Sequence, residues 1–386
     1  MISKKLEPYG TSIFSEMTKL AIEHGAVNLS QGFPDFSGPP EMIEAVARAM
    51  REGHNQYARS MGHLELVEAL ADRQAALYGL RFDPLTEVVV TSGATEAIAS
   101  TMLGLLDPGD EVILIEPFYD SYPACLAMAG AVPRYVTLRF PRFELDLEAL
   151  SRQINGRTRA ILINTPHNPT GKVFERHELE AIAELAIRHD LTVITDEVYE
   201  HLTYDGAEHT PIATLPGMRE RTLTISSAGK TFSFTGWKIG WAFGPPHLTA
   251  AIQAAHQFVT FATSTPMQVG LARTLRSLPS SFYGTLASEY LARRDRVAAV
   301  LEEVGFELTR PRGTYFIVAA FGRLFLGDDR AFARHLIEKA GVAAIPPSVF
   351  YAAQPDEGRR LVRFAFCKKD ATLDAAAERL RRIRPA

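Results

Sequence analysis

Short apolar stretches recur along the middle of the chain, separated by longer stretches in which apolar residues repeat every three or four positions. The short stretches are rich in Val, Ile and Thr, which is typical of buried strands, and they lie at 87–91, 111–115, 159–165, 191–196 and 222–225. One of the longer stretches, 175–189, places Leu179, Ile182 and Ala186 on one helical face. This alternation from residue 87 to residue 243 predicts an α/β fold with a mostly parallel sheet flanked by helices.

The two ends of the chain follow a different pattern. From about Thr285 the sequence predicts charged helices, a strand from Thr314 to Ala320 and a short strand at 361–367. We therefore expect a smaller α+β domain beside a large one. The predicted domains are 45–284 for the large one and 1–44 plus 285–386 for the small one.

Two terminal helices are predicted in more detail. One begins near Pro39, with Ile43, Val46 and Met50 among the residues facing the core. The other is the last helix of the chain, and Thr372 is expected to cap it.

Composition and charge narrow the class of protein. With 46% hydrophobic and 22% charged residues, the 386-residue chain is typical of globular proteins, and its net charge of -4 disfavours a nucleic-acid or anionic-membrane surface. No apolar run reaches the length of a membrane span or a signal-peptide core. Two cysteines, Cys125 and Cys367, form no disulfide framework. We expect a cytoplasmic enzyme.

The stretch 225–240 carries the most specific chemistry. It joins two apolar runs through small residues, two glycines and two lysines. A lysine beside buried strands loses hydration, which lowers its pKa and makes Lys230 a candidate nucleophile for an aldehyde. The alternative from spacing alone is a solvated surface lysine.

Two further features point to a phosphorylated, cationic ligand. Gly93 and Thr95 lie where a strand turns into a helix, and such a turn exposes backbone N–H groups that suit a phosphate. Asp196 ends a buried strand, and burying a carboxylate there is unfavourable unless a cation lies beside it. The chain has neither a Gly-x-x-x-x-Gly-Lys loop nor a Gly-x-Gly-x-x-Gly fingerprint, so a nucleotide is not indicated.

The order of these residues resembles a known family. Ser227, Lys230, Gly236, Lys238 and Gly240 follow one another as in the lysine motif of the fold-type-I aminotransferases, which bind pyridoxal 5′-phosphate (PLP). Most of that family has arginine where this chain has Lys238. Lysine at this position resembles the branch that holds kynurenine aminotransferase, glutamine transaminase K and bacterial methionine aminotransferase. The resemblance implies the fold-type-I PLP-dependent transferase fold.

The resemblance also implies roles for individual residues. Lys230 would form a Schiff base with PLP and move the proton of the substrate, while Asp196 would face the pyridine nitrogen, and Asn168 and Tyr199 the phenolic oxygen. Phe118 would lie against the pyridine ring. The implied cofactor-binding residues are Gly93, Ala94, Thr95, Phe118, Asn168, Asp196, Tyr199, Ser227, Lys230, Lys238 and Tyr57. The implied substrate-binding residues are Arg363, Gly32, Asn168, Phe14 and Phe261. No metal is implied.

Two of these residues imply a partner subunit. In the family, the tyrosine that matches Tyr57 reaches the cofactor phosphate of the neighbouring subunit, and a segment matching 256–266 enters the neighbour's pocket. We therefore expect a homodimer with shared active sites.

The predicted reaction moves the amino group of an apolar, aromatic or thioether L-amino acid to a 2-oxo acid in a ping-pong cycle, with a methionine-like donor favoured. The expected wall is aromatic (Phe14, Tyr57, Phe118, Phe261), which suits such side chains. Arg59, two residues from Tyr57, is the alternative: if its side chain enters the pocket, it would bind a second carboxylate of the donor. A cysteine-conjugate C–S β-lyase is the main alternative; a decarboxylase, a racemase and a PLP-binding regulator are others.

Overall fold

The computed structural model describes residues 2–279 and 281–383. Within these residues the strands are β1 Val27–Asn28, β2 Val88–Thr91, β3 Glu111–Glu116, β4 Val132–Thr137, β5 Thr158–Asn164, β6 Thr192–Asp196, β7 Thr222–Ser227, β8 Gly240–Phe243, β9 Glu307–Leu308, β10 Phe316–Ala320, β11 Val342–Ala343 and β12 Leu361–Ala365. The helices are α1 Ile13–Glu23, α2 Pro40–Arg51, α3 Leu64–Tyr78, α4 Ala94–Leu105, α5 Ser121–Ala129, α6 Leu147–Gln153, α7 Arg176–Arg188, α8 Ala228–Thr231, α9 Pro246–Val259, α10 Thr265–Ser277, α11 Phe282–Val304, α12 Asp329–His335 and α13 Asp370–Leu380.

The large sheet has seven strands in the order β2-β8-β7-β6-β5-β3-β4. All neighbours are parallel except β8, which runs antiparallel to both β2 and β7. Successive residues of β5 enter different cores: Ile161 belongs to the cluster that contains Leu179 of α7, and Leu162 belongs to the cluster that contains Ile98 of α4. The two clusters lie on opposite faces of the sheet because successive side chains of a strand point to opposite faces. The prediction of a mostly parallel sheet covered on both faces is therefore confirmed.

Register brings the polar ends of three strands together. Asn164 at the end of β5 pairs with Asp196 at the end of β6, and Asp196 pairs with Ile225 in β7. Because carboxyl ends of parallel strands share one edge of the sheet, the residues that follow β7 also arrive there. This edge is where the candidate site lies.

A smaller antiparallel sheet, β12-β10-β9, packs against α11 and α13. In it, Arg363 of β12 lies opposite Val318 of β10. The smaller α+β unit is confirmed. The domain boundaries stay predictions; the first falls within α2 and the second within α11.

Two details of the terminal helices differ from prediction. Helix α2 buries Met42, Val46 and Ala49, whereas Ile43 and Met50 are 42% and 43% exposed. Its apolar residues cover two adjacent stripes, and packing against the rest of the chain selects one of them.

The cap of the last helix also differs. Lys369 precedes the first residue of α13, and the hydroxyl of Thr372 instead donates to Asp35 Oδ2 at 2.6 Å. Among the described residues, no helix combines the length and the hydropathy that a bilayer crossing requires.

Candidate active site

A cavity of about 330 Å³ opens at the carboxyl edge of the large sheet, a volume suited to a small-molecule ligand. Both the large sheet and the smaller unit contribute to its wall. The predicted residues that line it are Phe14, Gly32, Gly93, Ala94, Thr95, Asn168, Asp196, Tyr199, Ser227, Lys230, Lys238 and Arg363. Residues that sequence reasoning did not single out line it as well, among them Gln31, Phe33, Tyr119, Tyr122, Asn164 and Phe316.

Lys230 lies in α8, a single turn that follows β7 directly. Its Nζ donates to the carbonyl of Gly32 at 3.2 Å. Burial lowers the pKa of the Lys230 amine to about 8. A substantial fraction of the amine is therefore neutral near physiological pH and able to act as a nucleophile.

Asp196 is 5% exposed and ends β6. Its carboxylate accepts hydrogen bonds from the hydroxyl of Tyr122 at 2.8 Å and the amide of Val198 at 3.3 Å. It forms no salt bridge within the described part of the chain. Burial accordingly raises the pKa of Asp196 to about 6. A carboxylate in this state favours a cationic partner, such as a protonated ring nitrogen.

Helix α4 begins at this edge with its first amides uncapped by any described side chain. The preceding Gly93 has φ +81°, and a Cβ built on it would lie 3.1 Å from Nζ of Lys238. The ammonium of Lys238 is thus held over the start of the helix, with buried Ser227 also on the wall. Helix amides, an ammonium and a hydroxyl form a suitable set of donors for a phosphate.

Arg363 is 1% exposed at the centre of β12. Its Nη1 donates to Asn168 Oδ1 at 3.0 Å and its Nη2 to the carbonyl of Ser30 at 3.0 Å, and its Cζ lies 4.1 Å from the ring centroid of Phe316. Its Nε has no hydrogen-bond partner among the described residues. Burial lowers the pKa of Arg363 to about 10. A buried guanidinium bonded only to neutral oxygens is suited to a carboxylate ligand.

The amide of Asn168 is oriented by its neighbours. Its Oδ1 accepts from Arg363, and its backbone N–H donates to Asn164 Oδ1 at 2.7 Å. Asn164 Nδ2 in turn donates to the carbonyl of Asp196 at 2.7 Å. Tyr199 packs beside them, and burial raises the pKa of its hydroxyl. The sequence analysis did not identify Asn164, although Asn164 ends β5 in the same way that Asp196 ends β6.

The aromatic residue at the end of β3 requires a correction. Phe118 does not line the cavity; it is 5% exposed, and its ring stacks on Tyr135 with centroids 5.7 Å apart. Its neighbour Tyr119 lines the cavity, and burial raises the pKa of the Tyr119 hydroxyl to about 12. Successive side chains of an extended segment point in opposite directions, and the pattern alone did not indicate which ring faces the ligand.

Tyr57 and Phe261 lie outside the cavity of their own chain. They are 81% and 51% exposed and contact each other edge to face, with ring centroids 5.0 Å apart. Their roles in a neighbouring subunit stay predictions.

The residues present fit PLP. The uncapped start of α4 with Lys238 suits its phosphate, Asp196 suits its ring nitrogen, and Lys230 provides an amine for its aldehyde.

Comparisons with known proteins agree with this chemistry. Residues 24–380 match the family described as aminotransferase class I and II. The chain is 49% identical to a probable N-succinyldiaminopimelate aminotransferase of Mycobacterium tuberculosis over 98% of both proteins. It is 40% identical to the methionine aminotransferase of Escherichia coli, over 98% of this chain and 97% of that protein. It is 41% identical to kynurenine–oxoglutarate transaminase 3 of Homo sapiens, over 97% of this chain and 89% of that protein.

Solved structures show the same similarity. The N-succinyldiaminopimelate aminotransferase of M. tuberculosis has a TM-score of 0.96 at 49% identity, with 100% of both chains covered. YbdL of E. coli, identified as having a methionine aminotransferase function, has a TM-score of 0.95 at 40% identity, with 99% of both chains covered. The chain therefore belongs to the class I and II aminotransferases and is a PLP-dependent enzyme of that family.

Proposed function

We propose that this aminotransferase takes the amino group from L-amino acids with apolar, aromatic or thioether side chains, with methionine-like donors favoured, and passes it to a 2-oxo acid. The observation that supports this donor class is the composition of the cavity wall. Among the described residues its cationic side chains are Lys230, Lys238 and Arg363, and each already has a role. The remaining wall includes the rings of Phe14 and Phe33, which favour apolar side chains.

Each charged residue of the site has a separate role in the proposed reaction. Bound PLP supplies an aldehyde for the amino group and a ring that withdraws electrons from the substrate Cα. Arg363 binds the α-carboxylate through its guanidinium fork, which orients the Cα–H bond. The Nζ of Lys230 would take the proton from Cα and deliver it to the carbon of the cofactor's aldehyde group, a task suited to an amine of pKa about 8. Asp196, which accepts a hydrogen bond from Tyr122, would place its negative charge at the ring nitrogen of bound PLP.

A second donor, N-succinyldiaminopimelate, is favoured by one comparison and one feature of the surface. The M. tuberculosis relative at 49% identity bears this activity in its name. Such a donor has methylene groups next to its reacting carbon and carboxylates further away, so it needs an additional cation. Lys19 lines a surface groove that shares Gln31 with the cavity; its side chain is 78% exposed, and its Nζ lies 3.9 Å from Oε1 of Glu23 in the same groove.

A donor screen distinguishes these proposals. The kcat/KM values for methionine, phenylalanine, aspartate and N-succinyldiaminopimelate should be measured with one oxo-acid acceptor. The proposed function predicts methionine and phenylalanine above aspartate, and the reverse order would refute it. If the succinylated donor ranks first and Lys19→Met lowers its kcat/KM alone, the second candidate is correct. Release of pyruvate and ammonia from a cysteine conjugate without acceptor would instead indicate a C–S β-lyase.

We also propose that the enzyme works as a homodimer with shared sites. Tyr57 and Phe258 are 81% and 86% exposed, and Phe261 lies beside Tyr57. Large rings exposed in this way are typical of an interface. A cytoplasmic location stays a prediction, supported by two buried cysteines that are both free thiols.

A further inference from the structure

One wall of the cavity is formed by a short segment, residues 30–33, which we call the strap. Within the described chain no backbone–backbone hydrogen bond anchors the strap. Each of its carbonyls instead accepts from a side chain. The contacts are Arg363 Nη2 to Ser30 at 3.0 Å, Lys368 Nζ to Gln31 at 3.2 Å, Tyr315 Oη and Lys230 Nζ to Gly32 at 2.6 and 3.2 Å, and Lys368 Nζ to Phe33 at 2.7 Å.

Lys368 differs from an ordinary surface lysine. It is 3% exposed, and its Nζ lies 4.9 Å from the ring centroid of Phe33. Across the described residues it forms no salt bridge with a carboxylate. Burying an ammonium without a carboxylate is unfavourable, and here two carbonyl dipoles and an aromatic face offset that effect.

The side chains that donate hydrogen bonds to the strap differ in whether a bound ligand competes for them. Lys230 and Arg363 line the cavity and are the groups assigned to the cofactor and the carboxylate, so their bonds to the strap compete with those ligands. Lys368 and Tyr315 do not line the cavity, so their bonds to the strap remain when the cavity is filled. Lys368 is the charged donor of the two and supplies bonds to both Gln31 and Phe33.

The strap also has little room to shift toward the cavity interior. A Cβ built on Gly32 would lie 2.7 Å from Cζ of Phe316, the ring that lies under the guanidinium of Arg363. Movement of the strap consequently disturbs the surroundings of the carboxylate-binding group.

We propose that Lys368 is a positioning residue, which fixes the strap so that Gly32 and Phe33 close the substrate side of the cavity. This rests on the proposed assignment of the cavity as the donor site. Lys368 acts through the strap and does not contact the reacting atoms.

The test is Lys368→Met in the holoenzyme, with Lys369→Met as matched control, since Lys369 is exposed. Methionine keeps an unbranched apolar stem and removes the three donors. We expect the KM for donor and for oxo acid to rise about tenfold, which corresponds to about 1.4 kcal/mol, with kcat changed less than about twofold. Amide hydrogen exchange should speed up at residues 29–36 alone, with PLP content unchanged. The control should match the wild type.

An unchanged KM would overturn the proposal, as would faster exchange throughout the large sheet, because that pattern indicates a general structural role. If Lys368→Met is recovered unfolded, Lys368→Gln retains a neutral donor and provides the same readouts, with an expected rise in KM of about threefold. Each KM is measured with the donor that the wild type uses best. A preference for aspartate would therefore refute the proposed donor class and still leave the KM ratio as a test of Lys368.

Discussion

Asp196→Asn should make the cofactor-free protein more stable and the holoenzyme inactive. Asparagine has nearly the same shape, and its Oδ1 can still accept from the amide of Val198, which donates to Asp196 Oδ1 at 3.3 Å in the wild type. Its Nδ2 then donates to the hydroxyl oxygen of Tyr122, which lies 2.8 Å from Asp196 Oδ2. The substitution therefore removes a buried negative charge and little else.

The magnitude follows from the pKa. An exposed aspartate has a pKa of 3.8, and burial raises that of Asp196 to about 6. The folded state then holds the proton more tightly than the unfolded state, so the free energy of unfolding falls as pH rises from about 4 to about 6. A difference of about two pKa units lowers the free energy of unfolding by about 3 kcal/mol, and this loss is complete above about pH 6. A neutral asparagine does not show this loss.

The assay is urea unfolding of the cofactor-free protein at pH 4 and pH 8, followed by circular dichroism. The two proteins should be nearly equal at pH 4, and the variant should be more stable by up to about 3 kcal/mol at pH 8. Its kcat/KM should fall about 100-fold or more, because the charge at the ring nitrogen is lost. Asp72→Asn, at an exposed position, is the control and should change neither quantity. A variant less stable than the wild type at pH 8, or one with the same pH dependence, would refute the reasoning.

Three other substitutions test separate parts of the site. Arg363→Gln should lower kcat/KM for all donors about 100-fold without loss of PLP, because it removes the buried cation that binds the α-carboxylate of the donor. An effect confined to one donor would contradict this role. The Tyr122 hydroxyl lowers the pKa of Asp196, so Tyr122→Phe should move the acid limb of the kcat/KM profile up by about one pH unit, and an unmoved limb would exclude this coupling. Mixing a Tyr57→Ala chain with a Lys230→Ala chain should restore activity, since one site of each hybrid dimer is intact; steady-state assays of the mixture that show no recovery would exclude shared sites.

Much of the site could be predicted because its chemistry depends on position in the sheet. A buried strand that ends in Asp196, and another that leads into Lys230, are visible in the sequence, and parallel strands bring such ends to one edge. The same reasoning could have included Asn164. A strand-to-helix turn at Gly93 was likewise readable from local residue types.

The residues that could not be predicted depend on contacts distant in sequence. Lys368 and Lys369 are adjacent identical side chains, and only the packed structure buries the first against the strap. Tyr122 meets Asp196 across 74 residues of sequence. The choice between Phe118 and Tyr119 turned on the direction of one side chain, which alternation alone leaves open.

The central claim is that Lys230 carries the cofactor, and borohydride reduction of the holoenzyme followed by peptide mass spectrometry tests it directly. The pyridoxyl label should be found on the peptide that contains Lys230 and should be absent from a Lys230→Ala variant. A label on Lys238 or Lys368, or no label on a protein that contains PLP, would contradict the claim.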